Sequence, residues 1–133
     1  MPAQFIDSDL AETYRPSAFA VGAAPAAGRY EGSVKRESDG AMYLRAIELG
    51  NPAADGTIPI RIYDQLGGQI PPSPQFSGEA FALGSIILFS TSDSIAKRRF
   101  ISVVLGTYMI SASSSTYFDG RPDSKLAGVL RKV

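Results

Sequence analysis

Asp93-Ser-Ile-Ala-Lys-Arg-Arg-Phe-Ile-Ser-Val-Val-Leu-Gly-Thr-Tyr-Met109 is the stretch on which the fold turns. Ser90-Thr-Ser-Asp93 stands immediately before its apolar run, and Ser and Asp there are N-cap residues whose oxygens accept orphan N–H groups of a first helical turn. On a helical wheel from Ser94, the residues Ile95, Arg98, Arg99, Ser102 and Gly106 form a narrow, mostly polar stripe. Ala96, Phe100, Val103, Val104, Leu105 and Tyr108 cover most of the remainder, with Lys97 as the exception. A helix apolar round most of its circumference is buried on more than one side. One small sheet cannot bury that much, so the pattern predicts a second copy packed over Phe100, Val103, Val104, Leu105 and Tyr108. A competing reading stays open, with Phe100–Leu105 as a strand buried on both faces.

Upstream of this stretch the period is two. Tyr30–Arg36 leads into Asp39-Gly40, a strong hairpin signal, and Ala41–Leu49 alternates again. Thr57–Tyr63 reads as a third strand, in which Pro59 needs an edge or bulge because it lacks an N–H. Leu66-Gly-Gly-Gln-Ile-Pro-Pro-Ser-Pro74 is too irregular for either regular element, and Ala80–Phe89 reads as one long fourth strand. Residues 1–28 read as short strands or an arm ending in an Ala/Pro/Gly loop. Downstream, Ile110–Gly120 is a second short helix or a loop, and 119–133 is a tail whose last thirteen residues carry four cations and one Asp. The expected fold class is α+β. An antiparallel meander of about six strands occupies 29–90 and a helical region 94–118, all within one domain of 133 residues.

Composition excludes much. The chain holds no Cys and no His, so no disulfide, thiolate nucleophile, zinc-finger ligand set or Ser-His-Asp triad can be built. No catalytic residue, metal site, cofactor or small-molecule substrate is predicted. Asp7, Asp9 and Glu12 lack the glycine and terminal Glu of a calcium loop and read as solvated. Gly67-Gly68 is followed by neither Lys-Ser/Thr nor a helix, so it is no phosphate loop. Lys97-Arg-Arg99 reads as a solvated face. Thirteen cations balance thirteen carboxylates, so no global field selects a polyanion. The longest apolar stretches fall short of the ~20 residues of a spanning helix. No signal peptide is predicted, and the expected setting is cytosolic.

Alternation supplies one candidate site. With Met42, Leu44, Ile58, Ile60 and Ile62 facing the helices beside Tyr30 and Val34, the opposite face carries Ser33, Lys35, Tyr43, Arg45, Arg61 and Tyr63. Cations and aromatic rings on one sheet face are what single-stranded RNA needs, the former for phosphate and the latter for unpaired bases. The plainer alternative is ordinary strand residues chosen by β-propensity and cross-strand pairing.

Taken in order, these segments resemble the coat protein of the single-stranded RNA bacteriophages (leviviruses) over about residues 29–118. Leu66-Gly-Gly-Gln-Ile-Pro-Pro72 is similar to that family's loop between its last strands, Phe89–Ser94 to its strand-to-helix junction, and Lys97–Met109 to its first helix. The N-terminal hairpin region is shorter than in the family, the loop after Gly68 is longer, and 121–133 extends past the usual end. The resemblance implies a homodimer whose helices cross the partner's sheet, and dimers that close into an icosahedral shell around single-stranded RNA. Leu66, Gly67, Gly68, Ile70, Pro71 and Pro72 would then lie between dimers, and a genomic hairpin would be bound to repress translation. The implied setting is the virion, assembled in a bacterial cytoplasm. A second candidate is a decoration or cement protein of a tailed DNA phage, clamping capsid subunits with an N-terminal arm. That candidate favours strand over helix for Ser94–Met109 and makes the basic face incidental.

Overall fold

The computed structural model describes Pro25 and residues 27–133. Eight antiparallel strands follow one another: β1 (Gly28–Arg36), β2 (Met42–Leu49), β3 (Thr57–Leu66), β4 (Phe76–Leu83), β5 (Ile86–Ser92), β6 (Ala96–Leu105), β7 (Tyr108–Tyr117) and β8 (Ser124–Lys132). Each pairs with the next, and β8 pairs back onto β1 to close a barrel. No helix occurs among the described residues. The expected α+β fold, an open sheet of about six strands with C-terminal helices, is therefore overturned.

Each misplacement has a local cause. Asp93 does accept backbone N–H groups as an N-cap would, from Ile95 (2.8 Å) and Ala96 (3.0 Å). The same bonds make an Asx turn, and here that turn starts a strand. Beyond it, Phe100, Ile101, Val103 and Val104 are β-formers that fill two faces alternately. Gly106-Thr107 then joins Leu105 to its register partner Tyr108, with Gly106 at φ 64°. Glycine first in a two-residue loop is the chemistry of a hairpin turn, so the expected helix is the β6–β7 hairpin. Gly84-Ser85, with Gly84 at φ 63°, does the same inside the supposed fourth strand and divides it into β4 and β5. Residues 111–117 lie in β7 and Phe118 in the turn after it, and most of the supposed tail is β8, the strand that closes the barrel. The short pieces expected over residues 1–24 lie outside the described residues.

Closure also disposes of edges. Pro59 nonetheless needs no bulge: its carbonyl accepts from Gly50 N–H at 2.9 Å, so its missing N–H faces the same way, just past the last β2–β3 pair, Leu49↔Ile60. At the β8–β1 seam the backbones approach closely. A Cβ on Gly128 would stand 2.1 Å from the Ser33 carbonyl oxygen, and one on Gly32 2.4 Å from that of Val129. Only glycine fits there.

Eight strands leave a lumen just wide enough for side chains to fill. Tyr30, Val34, Ile47, Ile58, Ile62, Ile87, Met109 and Leu130 fill it, with Phe100 packed against Phe89 and Phe76 at centroid distances of 5.9 and 5.6 Å. Register decides which residues these are. Tyr43 opposes Val34, and Arg45 opposes Gly32 and Asp64, so β2 presents Tyr43, Arg45, Ile47 and Leu49 inward. Met42 and Leu44 face out. The expected face assignment of β2 is thus reversed, the consequence of a one-residue slip in a period-two element.

Candidate functional site

The six residues expected to bind RNA do not share a face. Ser33, Lys35, Arg61 and Tyr63 point outward, whereas Tyr43 and Arg45 point into the lumen. Arg45 is 0% exposed. Its Nε and Nη2 donate to the two carboxylate oxygens of Asp64 at 2.7 and 2.8 Å. Nη1 donates to Ser111 Oγ at 3.0 Å and Nη2 to Ser113 Oγ at 2.9 Å. The guanidinium also lies 5.4 Å from the centre of the Phe100 ring. A charge this deep is tolerated because it is paired and its donors are satisfied. Its work is to tie β2 and β3 across the lumen to β7, and no phosphate reaches it.

Tyr43 is spoken for as well. Its hydroxyl accepts from Arg36 Nη1 at 2.9 Å, while Arg36 holds Asp39 through Nε and Nη2 at 2.9 and 2.8 Å. That pairing lowers the Asp39 carboxyl to about 2, helped by the Ala41 N–H.

Outside β1–β3, cations and carboxylates alternate. Arg29 Nε donates to Glu31 at 2.6 Å and its Nη1 to Glu48 at 3.0 Å. Tyr63 donates its hydroxyl to Glu48 at 2.7 Å, and Arg61 stands 3.7 Å from the same carboxylate. The Tyr63 hydroxyl first, and then Arg29, hold the Glu48 carboxyl below its ordinary value. The same bond raises the Tyr63 phenol. An open cleft of about 370 Å³ lies here between Arg29, Glu48, Pro59 and Arg61. Two arginines beside two glutamates make a charge-balanced network.

The other expected sites divide too. Of the five residues assigned to a dimer interface, Phe100 and Val104 are lumen core, and Val103, Leu105 and Tyr108 face outward. Leu66 ends β3. Gly67 and Gly68 turn with φ of 70° and 66°, with no atom near enough to meet a Cβ. Gly68, Gln69 and Ile70 lie against the outside of β1 and β2, bounding an open cleft of about 630 Å³ with Ser33, Leu44 and Arg131. Pro71 is half-buried and Pro72 exposed. Among the described residues no group of three Asp, Glu, His or Cys side chains could hold a metal ion; Asp7, Asp9 and Glu12 lie outside them.

What alternation brings together is an apolar belt on the outside of β4–β8. Register places Leu83, Ile86, Val103, Ile110 and Val129 side by side in one row. Phe81, Leu88, Ile101, Ala112 and Ala127 form the adjoining row, in which Phe81, Leu88 and Ile101 pack with Leu83 as a cluster separate from the lumen. Leu105 continues the belt at one border. Exposure reaches 54% at Leu105, 46% at Ile110 and 56% at Val129. The signal lay in the sequence as two-sided apolarity, which the helical wheel gathered into one circumference. Two rows are roughly 7 Å apart along the strand, against about 25 Å for the lipid-facing band of a membrane barrel, whose interior is polar. Here the interior is packed mainly with apolar side chains around the Arg45–Asp64 pair, and the outside of β1–β3 carries Arg29, Glu31, Lys35, Glu48 and Arg61.

No family model matches this chain, and no curated protein matches it in sequence.

Proposed function

We propose that this chain is a non-enzymatic assembly module that binds protein through the outer belt of β4–β8. Within that class we propose a capsid decoration or cement role. The belt carries this reading: Ile86, Leu105, Ile110 and Val129 stand exposed on neighbouring strands β5–β8, beside the buried Phe81–Leu88 cluster, and contiguous exposed apolar patches mark protein contacts. The β6–β7 hairpin supports the decoration candidate, which favours strand between Ser94 and Met109. The levivirus coat candidate needs helices laid over an open sheet, so its fold gives no support to an RNA-enclosing shell.

Light scattering on the purified full chain tests the proposal. A small, defined oligomer with protein-like absorbance is expected, together with its dissociation by Ile110→Lys and Val129→Lys at unchanged circular dichroism. Particles of several million daltons containing RNA would restore the coat reading. An oligomer indifferent to both lysines would remove the belt from its interface.

A further inference from the structure

The occupant of the belt can be argued from charge, and the inference rests on the assembly reading. Strands β5–β8 contain no Asp or Glu. Over β5–β8 outward cations border the belt on both sides, Arg99 and Lys125 along one border and Arg131 along the other, with Glu79 of β4 the one carboxylate at the far end of the first border. Two belts packed face to face about a two-fold axis running across the strands would set Arg131 of one copy against Arg99 and Lys125 of the other. Like charges at the rim of a desolvated contact oppose association. The complementary partner is apolar and acidic.

Residues 1–24 of this chain have that composition. Phe5, Ile6, Leu10, Tyr14 and Phe19 are interspersed with Asp7, Asp9 and Glu12, against Arg15 alone. They precede β1, whose neighbour across the seam is β8, at the margin of the belt. Fully extended, 24 residues span up to ~80 Å, while the four strand spacings from β4 to β8 cover only ~19 Å. The segment is long enough to leave its own barrel and lie across another.

We infer that residues 1–24 of one copy dock on the outer belt of a neighbouring copy, with Asp7, Asp9 and Glu12 set against its bordering cations. Arm-to-belt contact is heterologous, so copies related by a closing rotation form a ring.

The absence of cysteine makes the test clean. Chains carrying Ala11→Cys are mixed with chains carrying Ala127→Cys, which lies exposed and outward on β8, and oxidised mildly. A disulfide-linked pair of one chain of each kind is expected. It should be lost when Ala127→Cys is replaced by Ser77→Cys on the outside of β4, away from the belt. It should also be lost when Asp7, Asp9 and Glu12 are all changed to Lys, with circular dichroism reporting an intact barrel. A defined oligomer without the mixed disulfide overturns arm exchange and leaves belt-mediated assembly standing. So does a disulfide formed only within a chain carrying both cysteines. A monomer by light scattering with no disulfide overturns both.

Discussion

At the scale of single residues, Arg45 shows how one side chain can be read in two opposite ways. As an outward cation it is a phosphate ligand; as an inward one it is a cross-lumen tie to Asp64, Ser111 and Ser113. Asp64→Ala leaves the guanidinium buried without its carboxylate and should cost about 3–5 kcal/mol, read from urea unfolding. Replacing both partners, Arg45→Met with Asp64→Leu, should recover most of that loss. By contrast, Lys35→Ala with Arg61→Ala should leave the unfolding midpoint nearly unchanged, because Lys35 and Arg61 stand in solvent and exposed pairs contribute little. The exposed carboxylates set the acid limit. Asp39 and Asp93 are lowered to about 2, Asp93 chiefly by the Ala96 and Ile95 N–H groups, and Glu48 is lowered as well. Folded-state values below the unfolded ones mean that the folded chain binds fewer protons in acid. Their stabilisation is complete above the ordinary values of 3.8 and 4.5 and drains away as pH falls toward 2. Thermal melts should be flat from pH 5 to 8, where a chain without histidine has no side chain that ordinarily titrates, and should drop steadily below pH 4.

At the scale of elements, glycines do two different jobs, and substitution separates them. Gly106→Ala puts a Cβ into open space at a left-handed turn and should cost about 1–2 kcal/mol by backbone strain. Gly128→Ala drives a Cβ into the Ser33 carbonyl and must part β8 from β1, so its loss in denaturant unfolding should exceed that of Gly106→Ala. These residues also explain what the sequence could show. The first three strands were legible because polar and apolar residues alternate within them and Asp39-Gly40 punctuates them. The strands from Ile86 onward have apolar residues on both faces, since one face fills the lumen and the other forms the belt. Alternation vanishes there, and a helical wheel accommodates the same residues. Gly84-Ser85 and Gly106-Thr107 were the remaining clues, but a single glycine inside an apolar run weighs little against an apparent N-cap. The site was less legible still, because which face of β2 looks inward depends on a register that only the closed ring determines. Far-ultraviolet circular dichroism of the full chain should show a β spectrum with no helical component from residues 94–118.

At the scale of the whole molecule, closure is what lets strands with two apolar faces persist. An open sheet of these strands would present unpaired edges beside exposed isoleucine and valine, a template for indefinite strand addition. The barrel removes both edges, and the belt is then available for a specific contact rather than for aggregation. β8 holds this arrangement together. It pairs with β7 and β1 along its length, and Leu130 is buried in the lumen beside Met109 and Gly32. Ending the chain at Asp123 removes only a segment that looks from its sequence like a basic tail, with Lys125, Arg131 and Lys132 and no carboxylate. If that segment were a solvated tail, the shortened protein would stay soluble and melt as before. The closed ring demands the opposite: two bare edges, a lumen opened along its side and loss of the cooperative melt. Static light scattering after refolding should show large, polydisperse aggregates for the shortened chain and a defined species for the full one.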